Sequence, residues 1–178
     1  MAEDFYIEGS DYIPEVKFEH EDECITISGK RSHNHHYVNE FFDPIFDWLE
    51  KYVQSKEVSI KVKLNFVDSK NLLPKLNQIE IKELEILEHL DTVPLAITEM
   101  KKLKKLDLSH NLLRIIPNEI ADLQNLEELD LQNNQLKEIP EGLTQLKSLK
   151  KLNLKYNPLP KEVKDKIKIS LPQAEISF

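Results

Sequence analysis

The sequence predicts an α/β fold built on a parallel sheet, and three observations predict it. The second half of the chain repeats itself every 23 residues. Within each copy, leucines alternate as on a strand, and two of the copies then carry a proline that ends the strand. The first half shows short alternating runs separated by helical spacing, the order of a small α/β unit.

The repeats carry the clearest signal. Leu103, Leu126 and Leu149 begin three near-copies, "LKKLDLSHNLLRIIPNEIADLQN", "LEELDLQNNQLKEIPEGLTQLKS" and "LKKLNLKYNPLP". A degraded copy of 22 residues, "IKELEILEHLDTVPLAITEMKK", precedes them from Ile81, and a stub, "LPQAEISF", follows from Leu171, 22 residues after Leu149. Leu103, Leu106, Leu108 and Leu113 suit an inward-facing strand face. Asn111, Asn134 and Asn157 fall where the chain leaves the strand, where a buried amide can satisfy turn groups of neighbouring coils. Pro117 and Pro140 cannot donate to a ladder, and Ile120 with Leu123, and Leu143 with Leu146, pin the return segment to the core. The first copy has His89 or Leu90 in the asparagine's place and is one residue short, so its turn is expected to be irregular. "KEVKDKIKI" reads as a short amphipathic helix and "AEISF" as a last strand that closes one end.

This pattern resembles the leucine-rich repeat family in its LxxLxLxxNxLxxIPxxIxxL form, over residues 81–178. The resemblance implies a short solenoid with a parallel sheet. Its outward strand positions form columns. Glu85, Asp107, Asp130 and Asn153 make one, and Glu83, Lys105, Glu128 and Lys151 make the next, alternating in sign. Ser109, Gln132 and Lys155, then His110, Asn133 and Tyr156, complete a face on which only Tyr156 looks like an aromatic anchor, which argues for weak binding or for binding elsewhere. The face reads either as a self-satisfied solvated surface or as a concave protein-binding surface. Asn133, as an outer residue, is expected to tolerate substitution at under roughly 0.5 kcal/mol.

In the first half, Val16 and Phe18 alternate in one run and Cys24, Ile25 and Ile27 in another, with "EHEDE" between them, so a hairpin is predicted. Val38, Phe41, Ile45, Trp48, Leu49 and Tyr52 have helical spacing, with Pro44 suited to an early turn. Residues 58–67 alternate again, then Asp68-Ser69 leads into a helix of Leu72, Leu73 and Leu76. The stretches "YIEGSDYIPEVKF", "ITISGK", "FFDPIFDWLEKY" and "VKLNFVDSK" resemble the SiaC family of bacterial regulatory phosphoproteins, themselves similar to STAS domains, over residues 4 to about 79. The resemblance implies a Ser or Thr at the strand-to-helix turn that a partner kinase phosphorylates and a partner phosphatase clears. That position is held here by Ser69, or by Asp68, depending on alignment. The family's C-terminal strands and helix are missing, with repeats in their place. Ser69 also reads as a helix N-cap, and the two roles are compatible, because free first-turn amides receive either a hydroxyl or a phosphate.

Strand 58–66, helix 70–78 and strand 82–86 make a β-α-β unit, whose crossover has the same right hand as a leucine-rich coil. The chain is therefore expected to divide into a SiaC/STAS-like α/β cap at 1–79 and repeats with a C-terminal cap at 80–178, with no linker between them.

Composition narrows the function. The chain is 40% apolar and 31% charged with net charge −8, and residues 1–80 hold 16 acids against 9 bases. Nucleic acid and anionic membrane are poor partners for that surface. A lone Cys24, an acidic start and no long apolar run lead to the expectation of a reducing, cytoplasmic location without signal peptide or span. With three glycines and no triad or carboxylate pair, neither catalysis nor a cofactor is expected. "HNHH" at 33–36 reads as a polar loop and not a metal site, since adjacent His35 and His36 splay apart. The expected function is a non-catalytic protein–protein interaction module in bacterial signalling, switched at Ser69. The alternative is a constitutive leucine-rich scaffold. The partners implied are proteins, a kinase/phosphatase pair or another signalling protein.

Overall fold

The computed structural model describes the backbone of residues 15–19, 24–28 and 60–65, and residues 73, 74 and 76–178 in full. The chain forms two compact units, Met1–Glu88 and His89–Phe178.

In the first unit, β1 (Glu15–Glu19) pairs antiparallel with β2 (Cys24–Ser28), with Val16 opposite Ile27 and Phe18 opposite Ile25, as the alternation predicts. β3 (Ile60–Asn65) runs parallel to β2 on one side and to β4 (Ile81–Leu87) on the other. A register shift between Ile60 and Lys61 marks a bulge at the start of the β3–β4 ladder. Between β3 and β4, Leu73, Pro74 and Leu76 are helical, in line with the expected β-α-β unit. Its core holds Leu73, Leu76, Ile81, Leu84 and Ile86, all buried. The predicted helix over 38–53, the 33–36 histidines and Ser69 lie outside the described residues.

The second unit is the solenoid. β5 (Lys105–Asp107), β6 (Glu128–Asp130), β7 (Lys151–Asn153) and β8 (Glu175–Ser177) form a parallel ladder in chain order. Leu106 sits opposite Leu129, and Leu129 opposite Leu152, so the 23-residue period is the strand register itself. Each coil returns through a short helical piece that opens after a proline. These are α1 (Leu95–Thr98), 3-10 turns at Asn118–Asp122 and Glu141–Gln145, and α2 (Lys161–Ser170). Pro94, Pro117, Pro140 and Pro160 all have φ near −60 to −68° with extended ψ, where a missing N–H costs nothing. Ile120, Leu123, Leu143 and Leu146 are buried, as are the strand leucines Leu106, Leu129 and Leu152.

Two details depart from the repeat count. Lys151 pairs with Glu175, an advance of 24 residues, not the 22 counted from Leu149 to Leu171. The return segment there is a ten-residue α-helix in place of a five-residue 3-10 turn, and the extra residues shift the strand start. In the first copy, the Leu90 N–H donates to Asn111 Oδ1, as Leu113 does to Asn134 and Leu136 to Asn157, each at 3.0 Å. Leu90 therefore occupies the place two residues past the asparagine, and the missing residue is absorbed between Leu87 and Leu90.

Candidate functional site

The asparagines build the edge on which the candidate face hangs. Asn134 is buried, and its Nδ2 donates to the Leu131, Gln132 and Leu108 carbonyls at 3.0, 3.2 and 3.0 Å while its Oδ1 accepts from Leu113 N–H. Asn111 and Asn157 repeat the pattern, Asn157 reaching back to the Leu131 carbonyl at 2.8 Å. Each amide satisfies its own turn and ties it to the preceding coil.

The outward rows lie as the register requires. Lys105, Glu128 and Lys151 form one row of ladder partners, and Asp107, Asp130 and Asn153 the next. Lys151 Nζ meets Glu128 Oε1 at 3.2 Å. The second row does more than face outward. The carboxylates of Asp107 and Asp130 accept the backbone N–H two residues on, from Ser109 at 2.9 Å and Gln132 at 2.8 Å, and Asn153 does the same for Lys155 at 3.2 Å. These are Asx turns that start the bend out of each strand. The Asn153 amide also reaches Asp130 Oδ2 and Gln132 Oε1, both at 3.0 Å. An Asp130→Ala change therefore frees the Gln132 N–H and one side of the Asn153 amide. It is expected to lower stability by about 1 kcal/mol, measured by urea denaturation.

The last row sits in an unusual backbone state. His110, Asn133 and Tyr156 have φ of 57, 55 and 58°, and His89 has φ of 58°. Three successive coils place this turn residue in the left-handed region, and Asn is the residue type that tolerates it best of these. Asn133 Nδ2 also contacts His110 Nδ1 at 2.9 Å. The expectation that Asn133 is a disposable outer residue is thus corrected: alanine there is strained by roughly 1 kcal/mol before any contact is counted. Tyr156 is 75% exposed.

Glu83 and Glu85 lie on β4 in the first unit, with Lys61 and Lys63 as their register partners on β3. The other outward residues lie in the second unit, and Ser69 lies outside the described residues. Beside the face, the Lys150 ammonium, then Lys104, holds the Glu127 carboxyl below the usual carboxylate range. Among the described residues, no group of three or more His, Cys, Asp or Glu is placed to hold a metal, and no helix is long and apolar enough to cross a membrane. Sequence inspection also missed an open groove of about 650 Å³ lined by Arg114, Gln135, Lys137, Glu138 and Pro158, because its lining comes from three different coils. The Asx turns had a visible signal: Asp107, Asp130 and Asn153 recur at the repeat period just ahead of the turn.

Two family models match this architecture. The model of the SiaC family regulatory phosphoproteins matches residues 7–88, and the leucine-rich repeat model of leucine-rich repeat and WD repeat-containing protein 1 matches residues 61–176. The chain belongs to the leucine-rich repeat family, and its N-terminal part is SiaC-like. The two matches overlap over 61–88, the stretch that carries the parallel pair β3 and β4. A search of the curated proteins finds no match. Among solved structures, a leucine-rich repeat protein of Leptospira interrogans is 29% identical with a TM-score of 0.52, covering 72% of this chain and 33% of that one. An internalin of Listeria monocytogenes, 19% identical with a TM-score of 0.51 over 67% of this chain and 38% of that one, shares the fold. The chain thus spans about a third of the length of these relatives.

Proposed function

We propose that the chain is a non-catalytic protein–protein interaction module of bacterial signalling, working in the cytoplasm. Residues 1–79 act as its regulatory cap and residues 80–178 as its binding repeats. The observation that supports this reading is the outer face of β5, β6 and β7. Its polar side chains are held by hydrogen bonds to one another and to the turns, so they are positioned before a partner arrives. The face comprises Lys105, Asp107, Ser109, His110, Glu128, Asp130, Gln132, Asn133, Lys151, Asn153, Lys155 and Tyr156, with Glu83 and Glu85 of β4 extending the same sequence columns. Similarity to the SiaC regulatory phosphoproteins supports the second half of the reading, a switch at Ser69 set by a kinase and reset by a phosphatase. A phosphate beside Asp68 in a chain of net charge −8 changes surface potential more than stability.

Affinity capture on the parent chain and on Ser69→Ala and Ser69→Asp variants, with phosphosite mapping of the parent, tests both halves. Capture of at least one protein that distinguishes the two variants is the expected result. The Ala variant loses about 1 kcal/mol if Ser69 also caps its helix, so each variant is compared as folded protein. Identical capture by all three chains leaves a constitutive scaffold, and a chain that captures nothing removes the interaction reading altogether.

A further inference from the structure

Tyr156 is out of place by every local rule. Its φ of 58° is one that bulky side chains avoid, and its repeat equivalent Asn133 shows which residue type suits the turn. His110, held in the same state, has the Asn133 amide as a partner at 2.9 Å. Tyr156 is 75% exposed, the second most exposed of the large apolar side chains among the described residues, so its ring recovers little by burial. A strained position whose side chain stays three-quarters exposed points outward, to a contact made with something else.

The surroundings say what kind of partner that is. Lys155, next to it, is exposed, whereas Lys151 is held by Glu128 and Lys150 by Glu127. Residues 150–178 hold seven lysines against three acids in a chain whose net charge is −8. The last coil and its helix are therefore the cationic end of an acidic protein. Six of those lysines are exposed, at 150, 151, 155, 161, 166 and 168. Nucleic acid fits less well, because the rest of the chain repels a polyanion of that length.

We infer that Tyr156, with Lys155 beside it, anchors a docking site for an acidic segment of a partner protein. This deepens the interaction reading above and rests on it. A carboxylate-rich segment drawn to the cationic last coil lies along the β7 end of the face, one of its charges meeting Lys155 and one apolar side chain covering the Tyr156 ring.

The test uses the full chain and a fluorescein-labelled, glutamate-rich peptide with one central leucine. Controls are the same peptide with glutamine for glutamate and a polyuridine oligonucleotide of matched charge. The expected result is binding of the glutamate peptide alone, weakening as salt rises. Tyr156→Asn is expected to weaken it about tenfold while raising the melting temperature, since asparagine relieves the strained turn. Opposite signs in binding and stability exclude misfolding as the cause. Lys155→Glu, a surface change, is expected to weaken the peptide as well. No binding of the glutamate peptide, parental binding by Tyr156→Asn, or equal binding of the oligonucleotide overturns the inference. A captured cellular partner that ignores both variants also overturns it and leaves the interaction reading standing. Capture of no partner is a failure of that reading, and the peptide titration then decides this one on its own.

Discussion

Asn134→Ala is expected to lower the stability of the second unit by about 3 kcal/mol, the upper end of what an orphaned buried polar group costs. The change removes four hydrogen bonds at once: one accepted from Leu113 N–H, and three donated to the Leu108, Leu131 and Gln132 carbonyls. Asn134 is only 6% exposed, so water does not replace them without opening the turn. Two of the bonds cross to the preceding coil, so the loss is one of coil-to-coil coupling and not only of a local bend. In a solenoid, that coupling is most of the cooperativity. Urea denaturation with hydrogen exchange at the Leu113 amide checks both parts, since that N–H is expected to lose its protection in the variant. Asn133→Gly, one residue away, keeps the left-handed turn and is expected to be nearly neutral. Equal losses at Asn134→Ala and Asn133→Gly would refute the assignment of roles.

Much of this was legible because a repeat states each structural need several times. Leucines at a fixed period fixed the strand register, and Leu106, Leu129 and Leu152 meet as counted. The asparagines were legible for the same reason. The left-handed position was not, because His110, Asn133 and Tyr156 share a backbone state and no side-chain chemistry. Only Asn among them advertises that conformation. The place of Leu90 was ambiguous because one residue is missing from its turn, and hydrogen bonding, not spacing, decides where the gap falls. The stub's register failed for a related reason. "KEVKDKIKI" has the spacing of a helix and forms one, but a ten-residue helix takes more chain than a 3-10 turn and moves the next strand two residues on. In the first unit, alternation gave the β1–β2 hairpin and β3, and chirality gave the parallel β3–β4 pairing. The candidate site was legible as a set of outward columns. Its internal bonding was not, since Asp107 and Asp130 look like free surface acids until the turn N–H groups are placed against them.

Gly142→Ala is the second large effect, and it follows from how closely the return segments approach. The 3-10 turn at Glu141–Gln145 lies against the one at Asn118–Asp122, and the Gly142 N–H donates to Asn118 Oδ1 at 2.7 Å. A Cβ on Gly142 would stand 2.0 Å from the Asn118 carbonyl oxygen and 2.9 Å from its carbonyl carbon. Both are backbone atoms, so no rotamer change relieves the overlap. Either the two turns move apart or the segment rotates, and both responses lift Leu143, which is fully buried, from the core. The expected loss is about 3 kcal/mol, at the high end for overpacking, because the obstacle is main chain and not the tip of a flexible side chain. Asn118→Ala separates the two contributions. It removes the side-chain acceptor and leaves the close approach intact, so about 1 kcal/mol is expected from the lost hydrogen bond alone. In Gly142→Ala the steric overlap remains whatever stands at 118, so Asn118→Ala combined with Gly142→Ala is expected to be little worse than Gly142→Ala by itself. Thermal or urea melts of the three variants check this. A Gly142→Ala chain as stable as the parent would mean that the return segments pack more loosely than the coil spacing shown by Asn118 and Gly142.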